Sequence, residues 1–160
     1  MMEGWLIALA FAAALGCGLI AGVFFAFSTF VMTALRRRPA AEGMAAMQGI
    51  NVAVINPVFL GLFLGTAVMC AVLGIVAVMR FSRPGAGYVL AGAALYFAGT
   101  FLVTMLFNVP LNNQLANVTP GDAEAEQIWM RYVQRWTMWN HVRTVAAVAA
   151  MAAFIMALRQ

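Results

Sequence analysis

The distribution of hydrophobic residues along the chain predicts four membrane-spanning helices. Four long apolar runs fall at about 4–35, 57–79, 88–107 and 137–158, separated by segments that contain arginine, proline or carboxamide side chains. A helix needs roughly 20 residues to cross the apolar core of a bilayer, and each run reaches that length. We therefore expect an all-α fold, a four-helix transmembrane bundle that forms one domain over residues 1–160.

Two further helices are predicted beside the four spans. After Pro39 an apolar face recurs at helical spacing up to Ile55, which predicts a short interfacial helix after the first span. Asn56 followed by Pro57 is a typical helix start for the second span. Before the fourth span, residues 122–136 predict an amphipathic helix that runs straight into it. Pro110 should end the third helix, because proline has no N–H to donate.

Composition supports an integral membrane protein. The chain is 65% hydrophobic and only 9% charged, whereas soluble domains carry about 25% charged residues. The formal net charge is +4 and all the basic residues are arginines, placed mostly at the ends of the apolar runs. We expect these arginines to contact the headgroups of a lipid bilayer, and we expect no nucleic-acid partner.

The arginines also suggest an orientation in the membrane. The two longer connecting segments lie on the same side and contain Arg36, Arg37, Arg38, Arg131 and Arg135, against Arg80, Arg83 and Arg159 on the other side. Because positive charge is retained on the cytoplasmic side, we expect the longer segments in the cytoplasm and both termini outside.

Trp136–Thr144 carries the densest polar cluster of the chain, and its sequence is W-T-M-W-N-H-V-R-T. At about 100° per residue, its polar and indole side chains fall within an arc of roughly 160°: Trp136, Thr137, Asn140, His141, Arg143 and Thr144. Unpaired polar groups inside a membrane cost several kcal/mol, so this face is expected to look into the protein.

Other polar side chains are predicted to reach the same end of the bundle. The candidate ligand-binding residues are Gln48, Asn51, Asn56, Asn108, Asn112, Trp136 and Trp139. Gln48 and Asn51 lie one turn apart on one helix face, and either interhelical hydrogen bonding or a shared site with His141 explains them. Asn108 and Asn112 either supply amides to the free carbonyls of a helix end or point into the ligand-binding site.

Four motifs along the chain resemble a known family. They are G-V-F-F-A-F-S-T-F-V-M at Gly22–Met32, A-M-Q-x-I-N with I-N-P within Ala46–Pro57, N-V-P-L-N at Asn108–Asn112 and W-T-x-W-N-H-V-R at Trp136–Arg143. Together they resemble the anthrone oxygenase-like family of small four-span membrane proteins from bacteria and fungi. The resemblance implies oxidation of anthrones to anthraquinones by O₂ without a recognised cofactor, and an inner (plasma) membrane location.

Two functions are compatible with these residues. In a cofactor-independent oxygenase, His141 would be the base, Asn140 and Arg143 would hold a developing phenolate oxygen, and Trp136 and Trp139 would stack on a lipophilic aromatic substrate. No cofactor and no metal site are expected. The alternative is a non-enzymatic membrane protein that binds or moves a lipophilic or quinone-like ligand, or assists a partner complex.

A purely structural role is a further possibility for Asn140, His141 and Arg143, which would then join helix ends to the connecting segments. Cys17 and Cys70 fall inside apolar runs and are expected to be buried packing residues. Small residues spaced by four in the first span permit close helix contacts, which would serve a homo-oligomer as well as a monomer.

Overall fold

The computed structural model describes residues 3–160, which form five helices and no strand. The helices are α1 (Gly4–Arg36), α2 (Ala40–Ala53), α3 (Pro57–Met79), α4 (Ala86–Ala116) and α5 (Ala125–Ala157). All except α2 are long and apolar enough to cross a membrane. The predicted all-α four-span bundle is therefore confirmed, and the protein is an integral membrane protein.

The elements around the four spans follow local sequence signals. The short α2 lies between the first two spans, and Asn56 caps α3 by accepting hydrogen bonds from the backbone N–H groups of Val58 and Phe59. The amphipathic segment and the fourth span form one continuous helix of 33 residues, α5. Both features agree with the sequence-based expectation.

Two hydrophobic cores stack along the bundle. The packed core lies toward the chain termini and contains many small residues of α1 and α5, together with Cys17, Cys70, Tyr96 and Phe154. The second core lies at the end that carries α2, where Met44, Met47, Trp129, Tyr132 and Trp136 pack together. The two cysteines are free and buried, as expected.

The prediction that Pro110 ends the third helix is wrong. Val109 has helical dihedral angles (φ −62°, ψ −47°), and α4 continues to Ala116. Thr104–Asn108 forms a π-helical segment, in which the N–H of Val109 donates to the carbonyl of Thr104. A wider turn moves the carbonyls of the preceding turn away from the proline ring, which removes the usual clash.

Candidate functional site

A cavity of about 350 Å³ lies between the two cores, and all five helices contribute to it. Most of the lining is aliphatic or aromatic. The residues are Val23, Phe24, Phe27, Met47, Ile50, Asn51, Val54, Ile55, Phe59, Leu60, Phe63, Leu64, Thr104, Met105, Val109, Asn112, Asn113, Trp136 and Arg143. Its volume is within the range of small-molecule sites, which are about 300–1,000 Å³ and mostly apolar.

Among the described residues, 3–160, Arg143 is the only charged one that lines this cavity. Only 5% of its surface is exposed. Its guanidinium carbon lies 3.9 Å from the centre of the Phe24 ring and 4.8 Å from that of Trp136, so the cation contacts two aromatic faces. Such contacts contribute about 0.5–2 kcal/mol each.

Hydrogen bonds fix the Arg143 side chain from one edge. Its Nε donates to Asn140 Oδ1 at 2.9 Å, and its Nη1 donates to Thr104 Oγ1 at 3.3 Å. Within residues 3–160 the ion pairs are Arg38–Glu42 and Arg80–Glu3, so no carboxylate of the described chain neutralises Arg143. A guanidinium has five N–H donors, so three remain for a ligand in the cavity.

Asn140 ties this arginine to α1. It is fully buried, and its Nδ2 donates to the carbonyl of Phe24 at 2.7 Å and to Ser28 Oγ at 2.6 Å. The α1 helix changes to π-helical geometry directly afterwards, over Phe27–Val31. Such distortions occur where a side chain inserts into the backbone hydrogen-bond ladder. Asn140 therefore positions Arg143 and links α5 to the distorted turn of α1.

A second hydrogen-bond network joins α2, α4 and α5 beside the cavity. Asn112 Oδ1 accepts from Tyr132 Oη at 2.9 Å and from Trp136 Nε1 at 2.8 Å. Asn51 Nδ2 donates to Tyr132 Oη at the limiting distance of 3.5 Å. The indole N–H is thus satisfied within the protein, which leaves the ring face of Trp136 for the cavity and for Arg143.

His141 does not lie at this cavity. Its side chain is exposed and lines a separate open hollow on the outer surface of the bundle, together with Arg36 and Arg131. The expectation that the whole polar arc of α5 looks inward is therefore wrong for His141. Arg143 and His141 stand at the two ends of that arc, about 160° apart around the helix, and only the Arg143 end is buried.

The remaining candidate residues have structural contacts. Trp139 stacks on Phe107 with ring centres 3.7 Å apart and does not reach the cavity. Gln48 donates to the carbonyls of Leu115 and Val118, which favours its interhelical explanation. Asn56 is the cap of α3 described above.

Asn108 also bonds between helices, because its Nδ2 donates to the carbonyl of Trp136. Among residues 3–160 its Oδ1 has no hydrogen-bond partner although it is buried. It does not line the cavity either. Of the ten candidate site residues, five therefore meet at the cavity or directly behind it. Asn51, Asn112, Trp136 and Arg143 line it, and Asn140 holds Arg143 from behind.

Three residues that matter here were not singled out as site residues by their sequence pattern. Phe24 contacts Arg143 from α1, Thr104 accepts a hydrogen bond from it, and Tyr132 joins Asn51 and Asn112 in the second network. The only signal in the sequence was weak: Thr104 is one of two threonines in an otherwise apolar span. In residues 3–160 no group of three or more His, Cys, Asp or Glu side chains is arranged to hold a metal ion.

Comparison with models of protein families shows which family the chain belongs to. A family model described as anthrone oxygenase matches residues 59–153, more than half of the sequence. The chain belongs to the anthrone oxygenase family. No curated protein and no solved structure matches it. The matched region contains most of α3, all of α4 and most of α5. It therefore includes Thr104, Asn112, Trp136, Asn140 and Arg143. Membership supports an oxygenase-like membrane protein.

Proposed function

We propose that the cavity binds a flat aromatic molecule as its oxyanion, and that the protein thereby promotes oxidation of an anthrone or a similar polycyclic phenol by O₂. The observation that carries this proposal is Arg143, a buried cation at the wall of an apolar cavity with no carboxylate partner in residues 3–160. The family assignment supports the same class of substrate.

The electrostatics favour an anionic ligand. Burial of a charge without a partner costs several kcal/mol, and the two aromatic contacts offset only part of that cost. An oxyanion in the cavity would supply the missing opposite charge and accept from the free guanidinium N–H groups. Charge-assisted hydrogen bonds of this kind are about twice as strong as neutral ones.

The shape and lining favour an aromatic ligand. Trp136, Phe24 and Phe27 lie together on one side of the cavity, with Phe27 and Trp136 ring centres 5.5 Å apart. Aromatic side chains offer large apolar faces with few rotatable bonds, which suits the binding of a rigid polycycle. Phe59 and Phe63 lie one turn apart on α3, stack on each other and continue this aromatic lining.

Stabilisation of the oxyanion is sufficient to start the reaction. Loss of a proton from the anthrone methylene carbon places negative charge on the carbonyl oxygen, which Arg143 would hold. The electron-rich anion then reduces O₂. In the overall reaction, anthrone and O₂ give anthraquinone and water: the methylene carbon loses four electrons and O₂ gains four.

The proton leaves to water at the cavity mouth in this scheme, because no histidine or carboxylate from residues 3–160 lines the cavity. The exposed position of His141 gives no support to the earlier hypothesis that it is the base. Arg143 is therefore the central residue of the proposal, and Asn140 is a positioning residue.

The test is O₂ uptake by the purified protein in nanodiscs with anthrone, measured against empty nanodiscs because anthrones autoxidise. We expect uptake above background for the native protein and for His141→Ala, partial uptake for Arg143→Lys, and background uptake for Arg143→Met. Binding of a hydroxyanthraquinone dye to the same samples separates ligand binding from the reaction with O₂. Circular dichroism checks that each variant is folded.

Full turnover in folded Arg143→Met would contradict the proposal. Saturable dye binding that depends on Arg143 without any O₂ uptake would support the alternative function, a non-enzymatic protein that binds or moves a lipophilic aromatic ligand. Loss of turnover in His141→Ala with Arg143 intact would restore His141 as the base.

We also propose that the cavity end of the bundle faces the cytoplasm of a bacterial cell. Five arginines lie at this end, from Arg36 to Arg38 and at Arg131 and Arg135, against three at the other end. Positive charge is retained on the cytoplasmic side. Labelling of single cysteines at Ala123 and Ser82 by a membrane-impermeant maleimide in whole cells tests this, and only the Ser82 position should react.

A further inference from the structure

We propose that the hollow around His141 binds the phosphate group of an anionic phospholipid. This hollow measures about 580 Å³ and opens on the outer surface between the end of α1 and the middle of α5. Its lining is Met32, Thr33, Arg36, Met130, Arg131, Val133, Gln134, Thr137, Met138 and His141. None of these residues lines the Arg143 cavity, so this site is separate from the proposed reaction.

The charges in the hollow have one sign. Arg36 and Arg131 are both exposed and contribute to it, and no acidic residue of the part of the chain that the structure describes does so. Neither arginine takes part in the ion pairs of residues 3–160. Arg131 makes only a long bond of 3.4 Å from Nε to the carbonyl of Gln127. Both guanidinium groups are therefore free for a phosphate, which arginine binds through paired N–H donors.

The depth of the hollow fits a lipid better than a soluble phosphate ester. Arg131 and His141 are ten residues apart on α5, which at 1.5 Å per residue is about 15 Å along the helix axis. Each headgroup region of a bilayer is about 5–8 Å thick. The hollow thus extends from the headgroup level into the level of the acyl chains.

The hollow combines cations with exposed apolar side chains. Arg36 is the last residue of α1 and, like Arg131, belongs to the end of the bundle that carries the connecting segments. Met130 and Met138 are exposed in the lining, and Val142 and Val145 are exposed farther along α5. Cations beside flexible apolar side chains match a phosphate with its attached acyl chains.

The experiment uses the full chain in a neutral detergent. Native mass spectrometry and thermal shift are measured with a short-chain phosphatidylglycerol, with the matching phosphatidylcholine, and with sn-glycerol 3-phosphate as a soluble source of the same phosphate. The test variant is R36Q/R131Q. The matched control is R83Q/R159Q, which removes two exposed arginines from the other end of the bundle.

We expect one phosphatidylglycerol adduct on the native protein and on the control, and an adduct at least fivefold weaker on R36Q/R131Q. Equal weakening in both variants would mean general charge attraction and would contradict the site. Equal binding of phosphatidylcholine would exclude recognition of the anionic headgroup. Equal protection by glycerol phosphate would show a soluble phosphate site and overturn the lipid assignment.

Discussion

The two halves of the bundle are built from different side chains, and the difference explains where the cavity lies. In the packed half, many of the helix contacts are made by fully buried alanines, as at Ala13, Ala147 and Ala150. A Cβ atom at Gly99 would fall 2.5 Å from that of Ala146, so these helices approach each other closely. Small residues at helix contacts allow this in membranes.

In the cavity half, the contacts are made by large and rigid side chains. Trp129, Tyr132 and Trp136 follow one another along α5 and stack in sequence, with ring centres 5.7 and 6.3 Å apart. The short helix α2 packs against them. Such side chains hold the backbones apart, and the space that they do not fill becomes the cavity. One bundle thus contains a closely packed half and a half that leaves a cavity.

The largest effect is expected from Phe154→Ala in the packed half. Phe154 is fully buried, and its ring lies directly against Gly92. Its removal leaves a void that the close helices cannot fill, so we expect a loss of about 3 kcal/mol. Reversible unfolding in detergent micelles measures this. Ile155→Ala, at the exposed neighbour, is the control. An equal loss there would show that the loss does not come from the close packing around Phe154.

Asn140→Ala tests the boundary between the halves. It removes the acceptor of Arg143 Nε and the donor to Phe24 and Ser28. We expect a loss of about 2 kcal/mol in unfolding free energy, since buried groups lose their partners. Affinity for the hydroxyanthraquinone dye should also fall in the folded fraction, because Arg143 is no longer held. Unchanged affinity would mean that Phe24 and Trp136 alone position the guanidinium.

The smallest effect is expected from His141→Ala. His141 is exposed, and its side chain makes no hydrogen bond within residues 3–160. We expect a change of less than about 0.5 kcal/mol, as for most surface substitutions. Thermal unfolding and dye binding should both match the native protein. A clear loss of dye affinity would mean that the outer hollow and the cavity are coupled through α5.

The sequence by itself determined the number, type and approximate limits of the spans, because long apolar runs and their arginine boundaries are local features. Asn56 as a cap and the fusion of the amphipathic segment with the fourth span are equally local. Pro110 was the one local signal that gave a wrong prediction. Its effect on the helix depends on the π-helical turn before it, which no local sequence pattern of this chain predicts.

The site itself was decided by tertiary structure. The sequence placed Trp136, Asn140, His141 and Arg143 on one helix, but an arc of roughly 160° is wider than the strip that neighbouring helices cover. Whether each end of the arc is buried depends on α1 and α4. They cover Arg143 with Phe24 and Thr104, whereas His141 stays exposed beside the open hollow at the end of α1. Periodicity gives the angle of a side chain around its own helix, whereas its partners come from helices distant in the chain.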